Sequence, residues 1–266
     1  MERSCAVWRE GTSGVEAFAG SWAHFATVRH AHDDYQITLV DHGIGGVLYR
    51  GVEQILPAGQ MTVFNPNEIH ATGSAAAVWR FRALHVPRTT FAAIARHAPG
   101  LLPRFTPATA LVRAFAGLHD LVRAQRPIGE ALAGLVTALA ADHCEAPAVN
   151  DARQSLTSDA RRYLDGHLDR QVSLAELTTR FAVSPTHLVR RFASEVGMPP
   201  HAYHLQLRVG HSRDLLRAGA SPGHAALAAG FSDQSHFTRH FTRLVGMSPG
   251  RYRQAVRHGK NVQDPG

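Results

Sequence analysis

AAGFSDQSHFTRHFTRLVGMSPGRYR, residues 228–253, is the stretch whose reading decides the fold. Gly230-Phe231 makes a bend, and Ser232 is placed to cap the helix that follows. Phe237, Phe241, Leu244 and Val245 recur at i, i+4, i+7 and i+8, one apolar stripe of an amphipathic helix. The other face carries Gln234, Ser235, Thr238, Arg239, Thr242 and Arg243, all hydrogen-bonding or cationic groups. Gly246 ends the helix and Ser248-Pro249 bars its continuation. Such a face suits a DNA major groove; taken alone, it equally suits water.

An internal repeat separates the two readings. Shifted back by 49 positions, Phe237, Arg239, Phe241, Gly246, Met247, Pro249 and Tyr252 fall on Leu188, Arg190, Phe192, Gly197, Met198, Pro200 and Tyr203. Matches in register and without a gap mean one supersecondary unit used twice. Ahead of the first copy, Ser173 and Glu176 have capping-box spacing, with Leu174, Leu177 and Phe181 as the buried stripe. Ala182-Val183 is a turn, and Ser184-Pro185 opens the next helix. Helix, short turn and second helix make a helix-turn-helix unit.

With these residues in place, 174–253 closely resembles the DNA-binding domain of the AraC/XylS family of transcription factors. GFSDQSHFTRHFTRLVGMSPGRYR is nearly that family's signature. The resemblance implies that the first reading helix offers DNA Thr186, Val189 and Arg190, and the second Gln234, Ser235, Thr238 and Arg239. Arginine can reach guanine, glutamine can pair with adenine, and threonine methyls can touch thymine. Val189 departs from the polar residue often found there. Two such helices would enter successive major-groove segments roughly 34 Å apart.

The formal charge of +7 is unevenly spread: residues 1–150 hold 12 cationic and 12 acidic side chains, residues 151–266 hold 16 and 9. The whole excess therefore lies in the half with the repeat, as a polyanionic partner would require. Cys5 and Cys144 are too few for a disulfide framework. The opening MERSCAVWREGTSG lacks a secretory apolar core, and no run of about 18 apolar residues occurs, so a soluble cytoplasmic protein without membrane partner is expected.

In the first half, Phe25–Arg29, Tyr35–Val40, Val47–Tyr49, Met61–Phe64 and Val78–His85 read as short strands, with a turn at Gly43–Gly46. Their spacing predicts a small β-barrel or jelly roll. His30-Ala31-His32 with Gln36, then Pro66-Asn67-Glu68-Ile69-His70, resemble the two cupin motifs. That resemblance implies a divalent-metal site on His30, His32 and His70. Gln36 stands where its carboxylate ligand would be, so the reading adopted is no cofactor. By strand alternation His30, His32, Gln36, Thr38 and Val40 share one face. They would line an effector pocket with His70 and Trp79, while Arg80 and Arg82 stay solvated. Helical periods follow at 91–95, 111–122 and 132–139; Pro127 and Gly129 fold the last two into a hairpin. That hairpin resembles the dimerisation region of arabinose-type regulators, and packing against the barrel is the simpler alternative.

The expectation is an α+β chain. Residues 1–145 form a cupin-like β-barrel with a helical hairpin, 146–154 a linker, 155–257 an all-α domain with two helix-turn-helix units, and 258–266 a tail. It would be a non-enzymatic regulator of promoter DNA answering to a small molecule, a homodimer, with RNA polymerase as a further partner. The rivals are a metal-dependent cupin enzyme fused to a DNA-binding domain, and an architectural DNA binder without effector.

Overall fold

The computed structural model describes residues 4–22, 25–27, 29–49, 52–74, 78–96, 100–101, 104–143 and 155–258. The expected linker, 146–154, lies outside them, as does all but His258 of the expected tail.

Two antiparallel sheets form the first half. One runs in the order β1 (Ser4–Arg9), β2 (Glu16–Trp22), β9 (Trp79–Pro87), β4 (Asp34–His42), β7 (Met61–Phe64), β10 (Arg104–Phe105). The other runs β3 (Phe25–Ala26), β8 (His70–Ser74), β5 (Ile44–Tyr49), β6 (Val52–Pro57). Val47, Tyr49 and Leu56 of the second pack with Val40, Phe64, Trp79 and Phe81 of the first. The barrel expectation is corrected to a two-sheet sandwich: among the described residues no ladder joins the sheets, and the isolated His30–His70 bridge only extends the β3–β8 side of the second. The expected turn at Gly43–Gly46 is also corrected. Gly43, at φ 78°, makes the turn alone, and Ile44–Gly46 already belong to β5. Gly45 is there for space: a Cβ would stand 2.2 Å from the Trp79 ring.

The sandwich strands alternate. On β4, Tyr35, Ile37 and Leu39 turn outward to α1 (Arg88–Ala95), α2 (Thr109–Arg123) and α3 (Gly129–Asp142). Phe115, Leu118, Val122, Leu132, Leu135 and Leu139 are the stripes of the α2–α3 hairpin, and they are consumed by this packing.

The second half is helical. α4 (Leu156–Asp165) starts with a Ser155/Ser158 capping box. α5 (Leu174–Phe181) and α6 (Pro185–Val196) form the first helix-turn-helix, α8 (Pro222–Ala228) and α9 (Gln234–Val245) the second. The 49-residue repeat holds to the residue in α6 and α9, and both end on left-handed glycines, Gly197 and Gly246. Leu188, Phe192, Met198 and Tyr203 are buried in one unit; Phe237, Phe241, Met247 and Tyr252 are buried in the other. α7 (Pro200–Arg217), about 27 Å long, joins them. Its first half supports α6 through Tyr203 and Leu207, its second half α9 through Val209 and Leu216. α10 (Pro249–His258) closes the bundle against β1.

Candidate nucleic-acid interface and effector cavity

Each reading helix is started by a side chain. Ser184 Oγ accepts from the His187 amide at 3.3 Å, and Pro185 fills the first turn. In α9 the cap is Asp233, whose Oδ1 accepts from the His236 amide at 2.6 Å, so the Ser232 expectation is corrected by one residue. A carboxylate suits that place, since it meets the positive end of the helix dipole. Half of the expected box at α5 forms: Ser173 Oγ accepts from the Glu176 amide, but the Glu176 carboxylate turns to Arg170 and Tyr163. Leu174, expected in the buried stripe, is exposed.

Of the sequence-chosen DNA residues, Thr186, Arg190, Gln234, Ser235 and Arg239 are exposed, and Val189 and Thr238 half-buried. Leu188 and Phe192 anchor α6 from beneath, Phe237 and Phe241 anchor α9, all fully buried. Two rigid amphipathic helices thus present Thr, Gln, Ser and Arg outward.

The effector candidates gather at the mouth of the sandwich. A cavity of about 1120 Å³ opens there, bounded on one side by Phe18, Trp22, His30, His32, Gln36 and His85, and on the other by α7. His32 is held neutral, because burial, then the neighbouring His85 and His30, push its pKa down to about 3. Its Nδ1 stands 2.9 Å from the Asp34 carbonyl, which can only accept. Its Nε2 stands 2.8 Å from Gln36 Oε1, also an acceptor, so the neutral ring donates its one proton to one of these two oxygens, while the Gln36 amide nitrogen donates to the Thr38 hydroxyl.

His70 lies behind them, stacked on Phe64 with ring centroids 3.7 Å apart. Its Nδ1 donates to the Glu68 carbonyl, and its buried Nε2 has no hydrogen-bond partner. Glu68 itself is structural: its carboxylate accepts from the Asn65 backbone and side chain. Trp79 packs against Trp22 and Phe81 in the core; those two, not Trp79, are among the cavity-lining residues. The rings of His30, His32 and His70 stand 4.4–6.1 Å apart, centroid to centroid. Among the described residues no set of three or more His, Cys, Asp or Glu is arranged around a common metal position. Sequence reasoning missed His85, on the same face of β9 as Trp79, Phe81 and Ala83, its ring 5.1 Å from His32. The period-2 pattern already carried that signal.

It also missed what ties the cavity to the helices. Gln206 of α7 accepts from the Ala31 amide at 2.6 Å and donates to the Arg29 carbonyl at 2.7 Å, gripping the segment that bears His30 and His32. Two turns on, the fully buried Glu16 of β2 meets Arg213 at 3.0 Å, Arg217 at 2.7 Å and the Tyr252 hydroxyl at 2.6 Å. Burial alone would raise the Glu16 pKa; Arg217 and Arg213 overcome it and hold the carboxyl at about 2. Arg217 also reaches Asp34 at 3.5 Å, and Asp34 neighbours His85 at 3.8 Å. Asp34 is buried too, yet His85 and both arginines keep it far below the ordinary carboxylate range.

Residues 14–153 match the AraC-like ligand binding domain family and residues 177–255 the helix-turn-helix domain family. The probable transcriptional regulator LumQ of Photobacterium leiognathi is 35% identical over 96 residues, 36% of this chain and 39% of its own length. The MmsAB operon regulatory protein of Pseudomonas aeruginosa is 31% identical over 120 residues, 44% of this chain and 39% of its own. The chain thus spans about two-fifths of the length of these relatives. YbfI of Bacillus subtilis, described as an uncharacterized HTH-type transcriptional regulator, is 26% identical over 221 residues, 78% of this chain and 80% of its own. ToxT from Vibrio cholerae O395 shares the fold at a TM-score of 0.59 and 12% identity, over 96% of this chain and 98% of that one. Both halves are thereby placed, and the chain belongs to the AraC-like family, a ligand-binding sandwich joined to a pair of helix-turn-helix units.

Proposed function

We propose that this chain is a sequence-specific transcription regulator and not an enzyme. It reads promoter DNA with α6 and α9 and answers to a small molecule held at His30, His32, Gln36 and His85. One observation carries the reading: the cavity wall is bonded, through Gln206, to the same helix that supports both reading helices. A ligand displacing residues 29–34 therefore acts on α7 directly. The His32 and His85 imidazoles, kept neutral by burial, and the Gln36 amide can donate and accept, which suits hydroxyl, amide or carboxyl groups on a compact, partly aromatic metabolite.

The rival metal-dependent cupin enzyme is disfavoured by the bonding of its own ligands. Both nitrogens of His32 are engaged, and Gln36 supplies no charge to offset a cation. Self-association would have to use the outer side of the α2–α3 hairpin, since its apolar stripes are taken; sedimentation tests that extension. Contact with RNA polymerase rests on family likeness alone.

The central test is selection of random duplexes by the full chain. Enriched sequences should hold two short motifs about one helical turn apart. Binding without enrichment over a random pool refutes sequence reading. His32→Ala with His85→Ala should leave the enriched motif unchanged and remove any small-molecule response.

A further inference from the structure

On α9 the rings of His236 and His240, one turn apart, bring Nε2 to within 2.8 Å of Nε2, with the ring planes 88° apart. Neither is one of the DNA-reading candidates, and neither lies in the core; both are half-buried on the helix flank between Phe237 and Arg239. We propose that this pair is a chelating site for a divalent transition-metal ion, of the tetragonal kind that Ni²⁺ and Cu²⁺ form.

Bite distance carries the assignment. Two imidazole nitrogens at about 2.0–2.1 Å from a metal stand about 2.9 Å apart when they occupy adjacent corners of a square, and about 3.4 Å apart in a tetrahedron. The observed 2.8 Å matches the square-corner separation and not the tetrahedral one. Tetragonal nitrogen sites favour Cu²⁺ and Ni²⁺, and these stand high in the general affinity order of divalent ions. Histidines at i and i+4 on one helix face are a known spacing for two ligands of one metal.

The helix is already rigid. Asp233 caps its start, Gly246 its end, and Phe237 and Phe241 are locked in the core beneath the pair. Metal binding therefore costs little ordering. Arg239, Arg243 and Arg208 act on His240 and oppose a cation, and the Asp233 carboxylate beside His236 offsets them in part. Protein supplies two ligands and leaves the remaining corners to solvent.

The site shares its helix with Arg239 and Arg243, so a bound ion adds positive charge beside the face assigned to DNA. That consequence rests on the function proposed above; the metal site itself does not. Full-length protein should bind Ni²⁺ with an equivalent that is lost in both His236→Gln and His240→Gln. Cu²⁺ on the wild type should show two coordinated imidazole nitrogens by electron paramagnetic resonance, and one or none from this site in either variant. Ni²⁺ should raise the thermal midpoint of the wild type more than that of either variant. Two folded variants that bind the same equivalents as wild type overturn the site and leave a plain His–His hydrogen bond. Ni²⁺ should also tighten binding to a mixed-sequence duplex in wild type only. Metal bound with unchanged DNA affinity overturns that consequence alone, whereas absence of any DNA binding strikes the functional reading.

Discussion

Glu16→Gln is the most informative single change, because it keeps the shape of a fully buried side chain and removes only its charge. In the native protein the carboxylate faces Arg213, Arg217 and the Tyr252 hydroxyl, all from the helical half. Two independent routes give the magnitude. Holding the carboxyl at about 2 against an ordinary 4.5 is worth about 3 kcal/mol at neutral pH, at about 1.4 kcal/mol per unit. Removing one partner from a buried ion pair typically costs about 3–5 kcal/mol, because the remaining charges stay buried and uncompensated. Here Arg217 would keep Asp214 at 2.8 Å and Asp34 at 3.5 Å, while buried Arg213 would lose its Glu16 partner. The thermal midpoint should fall on the order of 10 °C.

The sign with pH follows from the depressed pKa. The stabilisation is complete above about pH 4.5 and disappears as pH falls towards about 2; the Gln variant should lack that slope. The assay also locates the damage. All three tryptophans, Trp8, Trp22 and Trp79, belong to the sandwich, whereas far-ultraviolet circular dichroism is dominated by the helices. In wild type the two signals should change together, and in the variant they should separate as the halves part. Wild-type stability in Glu16→Gln, within about 0.5 kcal/mol, would refute the assignment of this cluster as the latch between halves.

Phe241→Ala should destabilise by about 3–5 kcal/mol through the cavity it leaves, measured by chemical unfolding of the full chain. Gly45→Ala should cost about 1–3 kcal/mol, since its methyl would overlap the Trp79 ring, and tryptophan emission should shift with it. Arg239→Ala should weaken binding to a selected site by about 1–3 kcal/mol with little effect on random duplex; an equal loss on both would make it a phosphate contact. His32, His70 and His85 all have pKa values pushed below 6.5 by burial, so stability should already decline as pH drops below about 6.5, ahead of the Glu16 window. Replacing His32 with Gln should flatten part of that decline.

The two reading helices were legible because their burial is periodic and their pattern occurs twice: Leu188, Phe192, Phe237 and Phe241 are fully buried, while Leu244 and Val245 of the expected stripe are half-buried. β1 was not legible, because Cys5, Ala6, Val7 and Trp8 are buried in succession and show no alternation. β2 opens with a carboxylate and holds Gly20 where Phe81 needs the space, so it lacks a β-rich composition. β8, HATGS, is polar and short. The sandwich interior was half visible: alternation placed His32 and Gln36 together, yet the same alternation on β9 was stopped short of His85. Glu16 could not have been found at all. Its partners lie 197, 201 and 236 positions away, and nothing local distinguishes it from a surface glutamate.

α7 shows why those distant contacts matter more than their number. Gln206, Arg213 and Arg217 stand at i, i+7 and i+11, within about 40° of one another around a 3.6-residue helix. They form one stripe, and every member grips the sandwich: Gln206 the segment before His32, Arg213 and Arg217 the Glu16 carboxylate. Val209 and Leu216 belong to the core shared with α9, while Tyr203 and Leu207 belong to the core under α6. A straight helix cannot yield along one stripe without carrying the side chains on its flanks. Binding energy collected at the cavity is therefore delivered to both reading helices by a single rigid element, provided the ligand prefers one position of residues 29–34 over another. On this account Gln206→Ala should uncouple effector from DNA while sparing both bindings separately, because Gln206 lines the grip and not either reading face. Loss of DNA binding in the absence of effector would show instead that the grip is needed to hold α6 in place.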